Sequence, residues 1–187
     1  IGYFENAAQI SEGNMIRAVS VNGGPTTPVA KMPGLSFSRG AVWQQDGTII
    51  FGATTDFADR GSGLLYAVAS EGGTPEVFLA PDTTQGEHGI LFPFLMPDNI
   101  LGFCAVDTAG TSSLVILNGG EKIELISHPS EVLAFATYST TGHIIYEREF
   151  DVANQNSIWR LSMDGIQPVG SPNLLFDDGH LPSVSAD

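Results

Sequence analysis

A glycine-rich turn recurs four times along the chain at nearly constant spacing. It follows a short apolar, strand-like segment at residues 21–24, 70–73, 117–120 and 162–165. The last glycines of these turns are separated by 49, 47 and 45 residues. A period of about 40–50 residues built from several short strands is typical of β-propeller blades. The repeat therefore constrains the architecture, whereas a propeller is a platform that can carry many different functions.

The second repeat shows the strand pattern most clearly. Ala41-Val42-Trp43 leads into the turn Asp46-Gly47, and apolar segments follow at 48–52, 64–68 and 76–79. Asp-Gly between two apolar runs predicts a tight hairpin in which both central residues have positive φ. Four such strands in an up-and-down meander form one antiparallel blade. Helical periodicity is nearly absent, so we expect almost no helix.

The two ends of the chain each have the pattern of part of a blade. Residues 181–187 read as a first strand that stops at the aspartate of an Asp-Gly hairpin, and residues 1–5 read as a second strand that follows such a hairpin. The sequence therefore predicts an all-β propeller domain or segment of about four four-stranded antiparallel blades, one of them divided between the termini. The expected blades cover residues 1–33 plus 181–187, 34–82, 83–130 and 131–180.

Three arrangements would complete the divided blade. The two ends could pair and close a four-blade ring, which would remove exposed sheet edges. The chain could instead be a slice of a larger propeller, or two chains could pair as a homodimer that completes an eight-bladed ring. The chain begins at Ile1 without an initiator methionine, which indicates a processed, trimmed or partial sequence.

Composition excludes several classes of partner. The 187 residues include 7 basic and 21 acidic side chains, for a net charge of −14. Such a field repels a phosphate backbone, so we expect no nucleic-acid partner. No apolar run approaches the ~20 residues that span a bilayer, so we expect no membrane insertion.

The single cysteine, Cys104, excludes an intrachain disulfide and a cysteine-based zinc site, and its apolar strand pattern predicts a small buried thiol.

Two sequence patterns recur inside the repeat, one around the first hairpin and one before the glycine turn. The second repeat has them at residues 43–51 and 65–73; similar segments recur at 93–103, where Asn99 replaces the turn glycine, and at 158–165. They resemble the TolB-like, WD-like bacterial β-propeller repeats, including those of kinase-linked sensor regions, over nearly the whole chain. The resemblance implies protein or peptide binding at the axial face, a sensor role, or gating of a fused peptidase.

Motifs for catalysis or cofactor binding are incomplete in this sequence. Residues 34–38 begin a nucleophile-elbow pattern but end in serine, and Gly61-Ser62-Gly63 lacks the third glycine of a dinucleotide loop. The four histidines lack the spacing of a helical zinc site, and the loop acids lack the spacing of a calcium loop. We therefore expect no catalytic residue, no metal and no cofactor.

Loops that precede the first strands are expected to ring the axial opening on one face of the propeller. They include residues 38–40, 87–89, 132–134 and 179–181. The candidate ligand-binding residues on this face are Arg39, Trp43, His88, Phe92 and His180.

The function that these features favour is a non-enzymatic scaffold or sensor propeller that binds a protein or peptide at its axial face. Two alternatives are an accessory propeller of a larger peptidase-like or lyase-like enzyme, and a self-assembling half-propeller. The lone cysteine and the TolB resemblance favour a periplasmic or otherwise extracytoplasmic location in bacteria.

Overall fold

The computed structural model describes residues 1–5, 14–33, 36–55, 61–149 and 156–184. In this part of the chain, fifteen strands form four antiparallel sheets, which we number blade 1 to blade 4 in chain order. The helical segments among these residues are two short 3₁₀ turns, Thr83–Gln85 and Pro97–Asn99. The prediction of an all-β propeller built from about four antiparallel blades is confirmed.

Strands follow chain order across each sheet. Blade 1 contains β1 (Gly2–Glu5), β2 (Met15–Ala18) and β3 (Thr27–Lys31). Blade 2 contains β4 (Phe37–Trp43), β5 (Thr48–Thr54), β6 (Leu64–Ala69) and β7 (Glu76–Leu79). Blade 3 contains β8 (Glu87–Leu95), β9 (Leu101–Asp107), β10 (Ser112–Asn118) and β11 (Glu121–His128). Blade 4 contains β12 (Val132–Ser139), β13 (His143–Glu149), β14 (Asn156–Asp164) and β15 (Gln167–Phe176).

Neighbouring blades pack face to face through apolar clusters. In β5, Phe51 packs against blade 1 whereas its neighbour Ile50 packs against blade 3, because successive side chains of a strand point to opposite faces. A third cluster joins blade 3 to blade 4 and includes Leu114 and Tyr146, both almost fully buried. The clusters therefore arrange the blades as an arc in chain order.

The two ends of this arc keep apolar side chains exposed. Tyr3 of β1 and Val169 and Phe176 of β15 are among them, and no cluster within the described residues joins blade 4 to blade 1. Blade 1 has three strands, residues 181–184 are not in a strand, and residues 185–187 lie outside the described part. The three ways of completing the divided blade therefore stay predictions.

Each complete blade has a bulge in its first strand. The register shifts in β4 between Ser38 and Ala41, in β8 between Leu91 and Phe94, and in β12 between Ala134 and Thr137. A bulge adds one unpaired residue and bends the strand without ending it. Residues 38–40, 87–89 and 132–134 therefore lie within strands, and the prediction that they form loops is wrong.

The hairpin after the first strand differs between blades. In the blade 2 hairpin, residues 44–48, Gly47 alone has positive φ, at 90°, and its N–H donates to the carbonyl oxygen of Gln44 at 3.1 Å. The expectation of positive φ at both Asp46 and Gly47 is wrong, since the turn is one residue longer than a two-residue hairpin. In blade 3, by contrast, Asp98 and Asn99 both have positive φ, at 59° and 60°.

A hydrogen bond at an equivalent position joins blade 2 to blade 3, and blade 3 to blade 4. The N–H of Ile90 in β8 donates to the carbonyl oxygen of Gly63, just before β6, at 3.0 Å. At the next junction the N–H of Leu133 donates to Ser112 Oγ, at the start of β10, at 2.9 Å. After blade 4, the N–H of Gly179 donates to the carbonyl oxygen of Asn156 at 3.1 Å. The segment after β15 therefore repeats the geometry with which a new blade begins.

We predict that Gly89→Ala strongly destabilises the fold. A Cβ on Gly89 would lie 1.9 Å from the carbonyl oxygen of Gly61, so backbone at the junction of blades 2 and 3 must move. We expect the free energy of unfolding to fall by about 3 kcal/mol, measured by urea denaturation. Gly2→Ala is the matched control, because its Cβ meets no atom closer than 3.6 Å. Equal stability of the two variants would contradict the junction geometry.

Candidate functional site

A depression of about 180 Å³ lies where the first strands of the blades approach one another. Its lining consists of four consecutive residue pairs: Gly40-Ala41, Phe92-Pro93, Phe135-Ala136 and Leu181-Pro182. The first residue of every pair has positive φ, at 80°, 52°, 47° and 50° respectively. The depression is therefore formed by one backbone feature that recurs in three blades and again after β15.

Aromatic packing supports this unusual backbone. Positive φ in a residue other than glycine costs roughly 1–2 kcal/mol. The rings of Phe92 and Phe135 contact each other with centroids 4.5 Å apart, and such a pair contributes about 0.5–1.5 kcal/mol beyond its buried area. Gly40 lies close to Phe92, since a Cβ on Gly40 would be 3.3 Å from the Phe92 Cα. Phe92 is thus a buried floor, whereas Leu181, 62% exposed, forms the rim.

The structure separates the five residues that the sequence singled out. Phe92 lines the depression, and Arg39 and His180 directly precede the lining residues Gly40 and Leu181. Trp43 lies elsewhere: it is half-exposed and lines a second depression of about 200 Å³ between blades 1 and 2. His88 is exposed near the start of β8 and is absent from the lining of both depressions. Ligand binding by these residues stays a prediction.

A buried carboxylate holds the segment that carries His180 and Leu181. Glu147 of β13 is fully buried, and its carboxylate accepts hydrogen bonds from Asn156 Nδ2 and from the N–H of Leu181 at 2.8 Å, and lies 3.1 Å from His180 Nδ1. These bonds fix Leu181 at the rim of the depression. The sequence reasoning missed Glu147, although a charged residue inside an apolar strand pattern is a signal of a buried polar site.

A second polar cluster lies on the opposite face of β13, between blades 3 and 4. The Arg148 guanidinium lies 3.7 Å from the centre of the Trp159 ring, donates to the Tyr146 hydroxyl at 3.2 Å and pairs with Glu131 at 3.7 Å. Burial raises the pKa of Tyr146 above its usual value, with the nearby Arg148 opposing that effect. Because Glu131 also pairs with His128 at the end of β11, at 3.6 Å, this cluster ties the two blades together.

Cys104 is a fully buried thiol, as the sequence predicted. Its Sγ lies 3.1 Å from Ser112 Oγ inside the junction of blades 3 and 4. Burial raises its pKa to about 12, and the hydrogen bond to Ser112 opposes the rise. Thiolate is the reactive form of cysteine, so this position is chemically inert in the folded protein.

We predict that Cys104 does not react with a disulfide reagent such as dithionitrobenzoate at pH 8 in the native chain, and reacts fully in guanidinium. The raised pKa also means that the neutral thiol is favoured in the folded state. The raised thiol pKa therefore stabilises the folded state fully below about pH 9, and this stabilisation is lost as the pH rises towards 12. Rapid reaction of the native protein would contradict the burial of this side chain.

The described residues form neither a metal-ion cluster nor a membrane-spanning helix. Across residues 1–5, 14–33, 36–55, 61–149 and 156–184, no three His, Cys, Asp or Glu side chains are grouped to hold a metal ion. No helix in those ranges is long and apolar enough to cross a membrane.

Comparison with solved structures finds proteins of similar fold. A protein described as TolB from Agrobacterium tumefaciens matches with a TM-score of 0.58 and 18% identity, over 82% of this chain and 53% of that one. The fold is a TolB-like β-propeller. A puromycin-hydrolysing peptidase from Mycobacterium tuberculosis matches with a TM-score of 0.60 and 15% identity, over 97% of this chain and 28% of that one.

This chain therefore spans about half the length of the TolB structure. At these sequence identities, the similarity shows a shared fold and nothing about function. No family model matches the sequence, and no curated protein matches it.

Proposed function

We propose that this chain is a non-enzymatic binding module, a scaffold or sensor propeller whose axial depression receives an apolar side chain of a protein or peptide. The observation that carries the proposal is the convergence of three residue pairs from first strands, and a fourth pair from the segment after β15, on one depression lined by apolar residues. Binding residues are often presented on rigid scaffolds at such convergent positions.

The size of the depression supports a peptide anchor over a whole small molecule. Pockets for small ligands usually measure about 300–1,000 Å³, whereas this depression measures about 180 Å³. One apolar side chain from a larger partner fits a site of that size, and such anchors supply much of the energy of protein interfaces.

The charge of the chain supports a cationic or neutral partner. A net charge of −14 raises the local concentration of basic ligands and speeds their association at low salt. We further propose that the protein acts at the bacterial cell envelope, as the resemblance of its repeats to TolB-like, WD-like propellers implies.

We predict that Leu181→Asp weakens peptide binding without unfolding the chain. Peptides selected from a random phage library on the wild-type chain are expected to bind the variant at least about tenfold more weakly, because docking would desolvate the new carboxylate. Leu181 is 62% exposed, and aspartate adopts positive φ more readily than leucine, so the fold should tolerate the change.

Val77→Asp is the matched control for that experiment. Val77 is also apolar and 58% exposed, but it lies on β7, the outermost strand of blade 2. Selected peptides that bind Leu181→Asp like the wild type and lose affinity for Val77→Asp would assign the binding surface to the outside of the propeller.

A second candidate is an accessory propeller of a larger enzyme. The likeness to part of a peptidase favours it, since 97% of this chain superposes on 28% of that protein. Puromycin hydrolysis by this chain alone tests whether the chain is itself catalytic. No turnover is expected of a purely accessory propeller, and turnover would replace the non-enzymatic proposal.

The third candidate is assembly of two copies into a larger ring, for which the exposed apolar residues of β1 and β15 are the motivating observation. Sedimentation equilibrium separates a dimer from a monomer, and a monomer at all concentrations would remove this candidate.

A further inference from the structure

We propose that the axial depression takes the phenyl ring of a phenylalanine side chain in its partner, and that Gly40 determines this specificity because it leaves room for the ring. The inference rests on the proposed function and names the side chain that the depression receives. The lining residues Gly40, Phe92 and Phe135 carry the argument.

Gly40 departs from the pattern of the other lining residues with positive φ. Phe92 and Phe135 take the equivalent position in the next two first strands, and Leu181 takes it after β15. These three residues have large apolar side chains, whereas position 40 has none. A side chain is therefore compatible with this position of the fold, and its absence from blade 2 leaves space in the depression.

A side chain at position 40 would lie against the wall of the depression. A Cβ on Gly40 would be 3.3 Å from the Phe92 Cα and 3.5 Å from the Pro93 Cδ. One blade further, the Phe92 ring contacts the Phe135 ring with centroids 4.5 Å apart. In both cases a residue of one blade faces the equivalent residue of the next blade. A ring from a partner can therefore take the place of the side chain that Gly40 lacks.

The size and the lining of the depression fit a phenyl ring. An apolar cavity of about 150 Å³ holds one benzene molecule, and this depression measures about 180 Å³. Phe92 and Phe135 offer aromatic contacts, which add affinity beyond the apolar area that is buried. Pro93 and Pro182 also line the depression and have no N–H to donate. The lining therefore favours an aromatic hydrocarbon ring over a polar side chain.

The charge of the chain selects the residues that flank this ring. A net charge of −14 attracts lysine and arginine and repels aspartate and glutamate. We therefore expect the partner to present a phenylalanine next to basic residues.

The test uses three probe peptides: acetyl-Lys-Phe-Lys-amide and its analogues with leucine or alanine in place of phenylalanine. Affinities are measured by NMR titration of the wild-type chain and of three variants. Gly40→Asn places a polar side chain in the proposed subsite, because asparagine adopts positive φ more readily than most residues. Gly142→Asn is the matched control, since Gly142 has a φ of 81° against 80° at Gly40 but lies in the hairpin between β12 and β13.

Phe135→Leu is the third variant, and it removes one ring from the wall of the depression. Leu181 has a φ of 50° at the equivalent position after β15, against 47° at Phe135, so leucine suits this backbone. The variant therefore tests the aromatic contact without adding a side chain at position 40.

We expect the wild-type chain to bind the phenylalanine peptide about tenfold more tightly than the alanine peptide, as burial of a phenyl ring allows. Aromatic contacts should favour phenylalanine over leucine by about threefold. Gly40→Asn should lower the affinities of the phenylalanine and leucine peptides to that of the alanine peptide, whereas Gly142→Asn should keep the wild-type order. Phe135→Leu should remove the preference for phenylalanine over leucine while both still bind better than alanine.

Wild-type affinity of Gly40→Asn for the phenylalanine peptide would overturn the role of Gly40. If Gly40→Asn does not fold, Phe135→Leu decides, and a persistent preference for phenylalanine over leucine in that variant would overturn the aromatic subsite.

Other outcomes separate this inference from the proposed function. If the three probe peptides bind alike and all lose affinity for Leu181→Asp, the axial site stands and the phenyl anchor is overturned. The same holds if phage-selected peptides that lose affinity for Leu181→Asp contain no aromatic residue. If neither the probes nor the phage-selected peptides respond to Leu181→Asp, the proposed function and this inference both fail.

Discussion

The rest of the structure depends on a hydrogen bond between the start of one blade and the third strand of the blade before it. Ile90 bonds to Gly63, Leu133 to Ser112 and Gly179 to Asn156, at 2.9–3.1 Å. Apolar clusters between the sheets give packing energy but little direction, because the hydrophobic effect is not directional. The hydrogen bond is directional and therefore fixes where β8, β12 and the segment after β15 enter, alongside the apolar contacts.

The candidate site follows from this junction. In each case the residue two positions after the bonded amide has positive φ, namely Phe92, Phe135 and Leu181. The bulge turns the chain towards the axis, so the paired residues of successive blades converge on one depression. Strained backbone at a site is tolerated because the surrounding sheets determine its position. In blade 4, the buried carboxylate of Glu147 accepts a hydrogen bond from the N–H of Leu181, which forms one wall of the depression.

Much of the fold could be predicted from the sequence because glycine-rich turns and apolar strand patterns recur in every repeat. The bulges could not, since Phe92 and Phe135 carry no local signal of positive φ and glycine appears only at position 40. Of the candidate residues, Phe92 lies in the depression, whereas the position of Trp43 depends on how blades 1 and 2 pack. Glu147 was missed because its partners His180 and Leu181 are more than thirty residues away.

Amide hydrogen exchange at Gly179 tests most directly whether the segment after β15 repeats the blade junction. NMR would compare it with Ile90 and Leu133, the equivalent amides of the two preceding junctions. The repeated junction predicts protection at all three amides, since each N–H is held in a hydrogen bond between packed segments. Exchange of Gly179 at the rate of an unfolded chain, with Ile90 and Leu133 protected, would contradict the shared geometry on which the axial site depends.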